Sequence, residues 1–150
     1  MIDRFRAVMA DLEPDWRALR SAATEAAASA YAPYSHFPVG AAGLTANGIV
    51  ISGCNVENAS FGLTLCAECG LASALRRAGE TTLVAVSVTD PAGRLLTPCG
   101  RCRQVLLEHG GPDMLIDAEP EPQRLGALLP GAFDADELGA HSTDAATTED

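Results

Sequence analysis

Two Cys-x-x-Cys pairs constrain the fold of this chain more than any other feature of its sequence. Cys66 and Cys69 form the first pair, and Cys99 and Cys102 form the second. Each pair lies near the predicted start of a helix, where free backbone N–H groups and the positive end of the helix dipole favour thiolate, the form that binds metals. If the two helix starts face each other, three or four sulfurs can reach one zinc ion at distances of about 2.3 Å.

Cysteine usage and the first residues together indicate a cytoplasmic protein. The chain has five cysteines, an odd number, and its opening segment MIDRFRAVMA carries Asp3, Arg4 and Arg6 without a long apolar stretch. Secretory signals need such a stretch, and disulfide frameworks belong mainly to secreted proteins. We therefore expect metal or thiol chemistry. A run of about 18 apolar residues is also missing, so we expect no membrane partner.

Size and charge favour one domain that does not bind nucleic acid. The chain has 150 residues, of which 47% are hydrophobic, and this excludes wholesale disorder. Its formal net charge of −10 at pH 7 would repel a phosphate backbone. We expect a single domain over residues 1–139, with residues 1–13 as a possible N-terminal arm and residues 140–150 as a disordered acidic tail.

Hydrophobic periodicity and turn residues predict alternating helices and strands. Helices are predicted at 15–31, 65–79 and 97–111, strands at 39–46, 48–54, 81–90 and 113–119, and a short helix or turn at 125–133. Asn47-Gly48 predicts a type I′ hairpin turn, in which both residues have positive φ. The polar segment 55–64 is predicted to be a loop of the kind that carries binding residues. This alternation indicates an α/β domain with a partly parallel sheet and helices on its faces.

The spacing of the cysteines leaves two kinds of metal site open. In a closed structural site all four sulfurs bind the metal and no chemistry follows. In a catalytic site Cys66, Cys99 and Cys102 bind the metal, and water takes the fourth position. Glu68 favours the second interpretation, because hydrolysis needs a group that accepts a proton from water, whereas a structural site gains nothing from a carboxylate among thiolates. Taken alone, a glutamate at this position is more often a solvated helix residue than a catalytic one.

Several sequence blocks resemble those of one enzyme family. Cys-Ala-Glu at 66–68 and Pro-Cys-x-x-Cys at 98–102 resemble the zinc deaminase signature in its three-cysteine version. Further blocks are similar to those of the small homotetrameric cytidine deaminases, namely YAPYSHFPVGAA at 31–42, GCNVENAS at 53–60, PCGRCRQVLLEHG at 98–110 and LLPGAF at 128–133. The resemblance runs from Tyr31 to Phe133 with the blocks in the family's order.

The resemblance implies a fold, an activity and a metal. The implied fold has three layers, α/β/α, around a mixed and partly parallel five-stranded sheet. The implied reaction is the hydrolytic deamination of cytidine and 2′-deoxycytidine to uridine and 2′-deoxyuridine, a step of pyrimidine salvage. One Zn²⁺ per chain would be held by Cys66, Cys99 and Cys102, with Glu68 as the proton shuttle. Alternatives are deamination of a related nucleoside or nucleoside antibiotic, and a non-catalytic binding module stabilised by a four-cysteine zinc site.

The resemblance also implies substrate-binding residues. Phe37 would pack on the pyrimidine, since a phenyl face stacks on a flat ring. Asn55 and Glu57, with Val56 between them, would hold the sugar at its 3′-hydroxyl, and the Ala67 backbone would lie against the base edge. Phe133 would reach the pocket of a neighbouring subunit of a homotetramer. From the residues alone, core filling for Phe37, turn chemistry for Asn55 and a solvated charge for Glu57 stay open.

One position departs from the family pattern. Members often carry an arginine directly after Cys-Ala-Glu, and here Cys69 stands in its place. Three thiolates and Zn²⁺ together carry one negative charge, which a neighbouring guanidinium would help to offset. Arg103, and also Arg101, are the cations expected to do so. Cys69 itself is either a fourth ligand or a spectator thiol.

Overall fold

The computed structural model describes residues 13–139. The expected N-terminal arm, except for Glu13, and the expected acidic tail therefore lie outside the described residues. The helices that pack on the sheet or lie beside it are α1 (Trp16–Ala27), α2 (Ala67–Arg77), α3 (Gly100–Gly110) and the short α4 (Leu125–Leu128), and residues 135–139 are also helical. The strands are β1 (Gly40–Thr45), β2 (Val50–Cys54), β3 (Leu83–Thr89), β4 (Leu115–Ile116) and β5 (Gln123–Arg124).

The strands form one mixed five-stranded sheet in the order β2-β1-β3-β4-β5, as expected. β1 is antiparallel to both β2 and β3, whereas β3 and β4 are parallel. The parallel pair is connected by α3, which is the usual crossover for parallel neighbours. β4 is shorter than predicted, and β5 was not predicted, because Gln123 and Arg124 are polar and exposed and carry no strand pattern.

Helices cover both faces of the sheet, which confirms the three-layer α/β/α arrangement. α1 packs alone on one face, where Leu19 and Ala23 meet Ala42 and Leu44 of β1. α2 and α3 share the other face in a larger apolar cluster. The buried members of this cluster are Ala41, Ala67, Leu71, Leu75, Leu83, Val86, Val88, Leu106, Met114, Ile116 and Leu125. The two Cys-x-x-Cys pairs thus lie on helices of the same layer.

The β1–β2 hairpin differs from its predicted turn. Gly48 has φ +79°, but Asn47 is not among the residues of positive φ, so the turn is not type I′. Gly48 N–H donates to the Thr45 carbonyl at 2.9 Å, and Thr45 N–H donates to the Ile49 carbonyl at 2.8 Å. This is a longer loop in which a tight turn is followed by one left-handed residue. The Asn-Gly pair located the turn correctly but not its type.

Gly53 allows α2 to lie directly against β2. A Cβ at this position would stand 2.3 Å from the Leu71 nitrogen and 2.5 Å from the Gly70 carbonyl carbon. Both are backbone atoms of α2, which cannot move aside as a flexible side chain could. The absence of a side chain at Gly53 therefore sets how closely the start of α2 approaches the sheet.

Within residues 13–139, every helix is too short or too polar to cross a membrane.

Candidate active site

Two helix N-termini bring three sulfur atoms together. Cys66 is the N-cap residue of α2, and Cys99 is the N-cap residue of α3. Cys102 lies in the first turn of α3 and is fully buried. The Cys66 and Cys99 sulfurs are 4.0 Å apart, and all three sulfurs lie within 4.8 Å of one another.

These three sulfurs fit the ligand geometry of zinc. Two thiolates on a tetrahedral zinc ion with Zn–S bonds of about 2.3 Å are about 3.8 Å apart. The separation of 4.0 Å between Cys66 and Cys99 is close to that value. Helix N-termini also supply partial positive charge, which stabilises thiolate. Cys66, Cys99 and Cys102 could therefore hold one zinc ion and leave its fourth corner open.

The three thiols differ in acidity because their surroundings differ. Burial raises the pKa of the Cys66 thiol. Burial, with the neighbouring Glu68 carboxylate, raises the pKa of the Cys102 thiol far above its ordinary range. Burial acts the same way on Cys99, but hydrogen bonds from Cys102 and Cys66 outweigh it, so the pKa of Cys99 lies below its ordinary value. A metal that binds all three as thiolates must displace protons from Cys66 and Cys102.

Glu68 is a buried carboxylate at the same place. It lies in the first turn of α2 and is only 4% exposed. Its side chain interacts with the Cys102 thiol and also lines the main cavity. A buried carboxylate that faces both a sulfur able to bind a metal and a cavity is placed to exchange protons with a molecule bound there.

Cys69 does not belong to the group of three. Its sulfur is 3.9 Å from Nη2 of Arg101, and within residues 13–139 the sulfurs that converge closely enough to share a metal are those of Cys66, Cys99 and Cys102. Arg101 also donates to the Thr64 carbonyl at 3.1 Å. The guanidinium thus connects α3 with the start of α2 and contacts Cys69 there. This arrangement disfavours the closed four-sulfur site.

Arg103 supports the same corner of the fold from α3. It donates to the Pro98 carbonyl at 2.9 Å and to the Leu128 carbonyl at 2.7 Å. Pro98 directly precedes Cys99, so these bonds hold the loop that presents this cysteine. Arg103 therefore supports the site through these contacts with the backbone.

A cavity of about 270 Å³ opens in front of the cysteines. Of the residues predicted to bind substrate, Phe37, Asn55 and Ala67 line it together with Glu68. The other lining residues are Val39, Thr64, Cys66, Val88, Leu96, Thr97 and Cys99. The apolar wall made by Val39, Val88 and Leu96 was not predicted from the sequence, because these residues are ordinary strand and loop residues with no chemical signature.

Asn55 and Glu57 hold the segment that carries Phe37. The Asn55 side chain accepts from Val39 N–H at 2.8 Å and donates to the Phe37 carbonyl at 3.1 Å. The Glu57 carboxylate accepts from Tyr34 N–H at 2.9 Å and from the Ser35 hydroxyl. Because of the bond from Ser35, the pKa of Glu57 lies below its ordinary value. Glu57 is thus an ionised acceptor that holds the backbone just before Phe37, although it does not itself line the cavity.

Three predicted residues, Val56, Glu57 and Phe133, lie outside the cavity lining. Val56 pairs through its backbone with Leu65, with N–H to carbonyl distances of 2.9 Å in both directions, and its side chain is exposed. Phe133 is 55% exposed, and its carbonyl accepts from Gln104 of α3 at 2.8 Å. Within one chain, Phe133 therefore does not reach the cavity that Glu68 lines.

Comparison with known proteins identifies the family. The family model "Cytidine and deoxycytidylate deaminase zinc-binding region" matches residues 14–117. A cytidine deaminase from Mycobacterium tuberculosis is 59% identical over 124 residues, which cover 83% of this chain and 93% of that protein.

The chain belongs to the cytidine deaminase family.

Solved structures agree with this membership. The crystal structure of a cytidine deaminase from Mycobacterium tuberculosis has a TM-score of 0.80 and 58% identity, covering 81% of this chain and 99% of that one. A Mycobacterium leprae cytidine deaminase has a TM-score of 0.77 and 52% identity, covering 79% and 99%. The α/β fold expected from the resemblance is confirmed. The zinc-binding deaminase region of the family includes the three-cysteine group, so zinc is the cofactor of this deaminase.

Proposed function

We propose that this cytidine deaminase hydrolyses the C4 amino group of cytidine and 2′-deoxycytidine, releasing ammonia and the uracil nucleoside. The observation that carries the proposal is the buried Glu68 beside three convergent sulfurs at the end of a cavity. Cys66, Cys99 and Cys102 are the proposed ligands of one zinc ion. When bound, zinc supplies the Lewis acidity that makes water a nucleophile near neutral pH.

Glu68 is the proposed proton shuttle. Its carboxylate accepts a proton from the attacking water and delivers it to ring nitrogen N3 as oxygen bonds to C4. It then carries the proton of the new hydroxyl to the amino group, and the C4–N bond breaks with loss of ammonia. Water and cytidine are consumed, and uridine and ammonia are formed, so atoms and charge balance. One carboxylate serves both transfers because it lies next to the reacting carbon throughout.

Asn55 and Glu57 are the proposed sugar-binding pair. Asn55 uses one of its two amide hydrogens on the Phe37 carbonyl, so the other can donate to a sugar hydroxyl. The Glu57 carboxylate accepts three hydrogen bonds and keeps a lone pair for the hydrogen of that hydroxyl. The two side chains can thus hold the 3′-hydroxyl from two sides, while Phe37 packs on the pyrimidine and Ala67 lies at the base edge. Val56 sets the spacing between Asn55 and Glu57.

A homotetramer with Phe133 contributed in trans is the proposed assembly. Exposed apolar side chains are concentrated on two segments, 31–37 and 56–65, and one of them, Phe37, also lines the cavity. They are Tyr31, Tyr34, Phe37, Val56, Phe61, Leu63 and Leu65. The Tyr34 and Phe61 rings meet edge to face at 6.2 Å, so the two segments form one surface. A surface of this kind is typical of subunit contacts, and Phe133 does not line the cavity of its own chain.

The proposed unit of function is the single domain over residues 1–139. Cytoplasm is its proposed compartment, because the three ligand sulfurs must stay reduced and all five cysteines are free thiols.

The test is a spectrophotometric assay of cytidine and deoxycytidine loss, with ammonia quantified in parallel. We expect turnover of both nucleosides, with loss of activity after treatment with a zinc chelator and recovery when zinc is added back. Turnover of a different amino-pyrimidine nucleoside but not cytidine would favour the related-nucleoside alternative. Full activity of zinc-free protein would contradict the mechanism, and zinc-loaded protein inactive on every nucleoside would favour the binding module.

A further inference from the structure

The Ser35 hydroxyl connects two groups that the proposed function places on opposite ends of the substrate. It donates to Oε1 of Glu57, the proposed sugar ligand. It also accepts the N–H of Phe37, the residue proposed to pack on the pyrimidine, at 3.0 Å. Ser35 is exposed and, like Glu57, lies outside the cavity lining, and the role considered for it is an indirect one, through Glu57 and Phe37.

The direction of these two hydrogen bonds is determined by their partners. An ionised carboxylate only accepts, and a backbone N–H only donates. The single hydrogen of the hydroxyl must therefore point at Glu57, and an oxygen lone pair must point at Phe37. The remaining donors to Glu57, the N–H groups of Tyr34 and Ser35, bind Oε2. Among the described residues, the Ser35 hydroxyl is thus the group that orients Oε1 of Glu57.

The backbone between these groups needs to be held in place. His36 has φ +55°, the one non-glycine residue of positive φ between residues 13 and 139. A side chain in this left-handed region costs free energy, and such conformations persist where surrounding contacts over-determine them. Before His36, the hydrogen bond between Ser35 and Glu57 holds the backbone. After His36, the Asn55 side chain holds it through hydrogen bonds to Phe37 and Val39.

We propose that Ser35 is a positioning residue for deamination, whose hydroxyl sets the placement of the Glu57 carboxylate relative to the Phe37 ring. The inference rests on the proposed function, since it assigns Glu57 to the 3′-hydroxyl and Phe37 to the base. Loss of the hydroxyl leaves Oε1 free to rotate away from the sugar. Because the sugar contact is the same before and during reaction, its loss weakens substrate binding more than it slows chemistry.

The experiment compares Ser35→Ala with wild type on cytidine and on 3′-deoxycytidine, which lacks the hydroxyl that Glu57 is proposed to bind. We expect Ser35→Ala to raise KM for cytidine about tenfold with kcat changed less than about twofold. With 3′-deoxycytidine we expect the KM values of wild type and variant to agree within about twofold. Ser35→Thr keeps the hydroxyl and should restore KM for cytidine.

Ser29→Ala is the matched control. Ser29 is an exposed serine just beyond α1, and its hydroxyl makes no hydrogen bond to another residue of the described part of the chain. The KM of Ser29→Ala for cytidine should equal that of wild type. Thermal unfolding of each variant checks that Ser35→Ala has kept its fold.

Three results would overturn the role of Ser35: an unchanged KM for cytidine in Ser35→Ala, an equal rise in KM for both nucleosides, or a Ser35→Thr variant that behaves like Ser35→Ala. The wild-type measurements report on the proposed function separately. Wild-type protein that does not turn over cytidine would remove the proposed function. Wild-type protein with equal KM for the two nucleosides would remove Glu57 from the 3′-hydroxyl, and the role of Ser35 with it.

Discussion

At the scale of single residues, the site depends on two helix N-caps and one buried carboxylate. Cys66 and Cys99 occupy N-cap positions, yet neither side chain caps its own helix by a hydrogen bond. Their sulfurs are therefore free to face a metal while the helix N-termini stabilise them as thiolates. Glu68, in the first turn of α2, is buried at the same point. The site therefore depends both on the residue types, thiol and carboxyl, and on their positions at the helix N-termini.

Replacement of Glu68 by glutamine tests the proton shuttle. Glu68→Gln keeps size and hydrogen bonding but cannot carry a proton, so we expect kcat to fall by at least about 10²-fold, within the range for general acid–base catalysis. Zinc content, measured by mass spectrometry, should stay at about one per chain. Glu80→Gln is the matched control, because Glu80 is also buried but binds Asn47 on the β1–β2 turn. Near-normal turnover of Glu68→Gln would remove Glu68 from the reaction.

The acidity of the cysteines predicts pH-dependent zinc binding. Cys66 and Cys102 have raised pKa values, so in metal-free protein at neutral pH these thiols are protonated. Zinc must displace about two or more protons, and its apparent affinity should rise as pH increases and fall as pH decreases. Zinc competition titrations between about pH 6.5 and 8.5 should show this slope. An affinity that does not change with pH would contradict the assignment of thiols as the ligands.

At the scale of elements, the contact between α2 and the sheet positions Cys66, one of the three converging sulfurs, together with Glu68. α2 lies on β2 at Gly53, and the start of α3 is linked to the start of α2 by Arg101. The sulfur group therefore exists only when both helices have reached their places in one layer. The relative position of two helix ends is set by packing along their whole length.

Substitution of Gly53 by alanine tests this contact. The added Cβ would stand 2.3 Å from a backbone atom of α2, so the helix must shift, and we expect Gly53→Ala to lower the free energy of unfolding by about 1–3 kcal/mol. Urea denaturation measures this change. Gly62→Ala is the control, because a Cβ there meets no atom within 4 Å. Equal stability of the two variants would show that α2 does not depend on this close approach.

At the scale of the whole molecule, the cavity of a single chain is open and adjoins an exposed apolar surface. Phe133 is bound through its backbone to the Gln104 side chain of α3. In a homotetramer, Phe133 of one subunit would close the cavity of its neighbour. The proposed active site is then complete only in the assembly.

Mixed oligomers test whether Phe133 acts in trans. Phe133→Ala alone should raise KM for cytidine about tenfold, because the aromatic contact to the pyrimidine side of the cavity is lost. Subunits of Phe133→Ala and of Glu68→Gln, unfolded together and refolded, should regain activity beyond the sum of the two, since intact Glu68 sites then receive Phe133 from the other subunit. Light scattering should give four times the mass of one chain. Activity equal to the sum, despite mixed tetramers, would place Phe133 in cis.

Much of the fold and site could be predicted from local sequence patterns. The main helices and the strands β1–β3 follow from hydrophobic periodicity, and the glycines after α2 and α3 have the positive φ expected of helix ends. The Cys-Ala-Glu and Pro-Cys-x-x-Cys blocks predicted the three sulfurs that the structure brings together. Strand β5 and the type of the hairpin turn could not be predicted, because pairing with distant strands and longer-range loop geometry decide them.

The sequence by itself determined which groups this protein can use: four thiols in two pairs at two helix starts, the Glu68 carboxylate within the first pair, and the segments that form the α/β layers. These are properties of residue type and of spacing within single elements. Only the tertiary structure decided that Cys69 contacts Arg101 instead of joining the sulfur group, and that Asn55, Glu57 and Ser35 together hold the Phe37 segment. Such contacts join residues far apart along the chain, and their distances depend on how whole helices and strands pack.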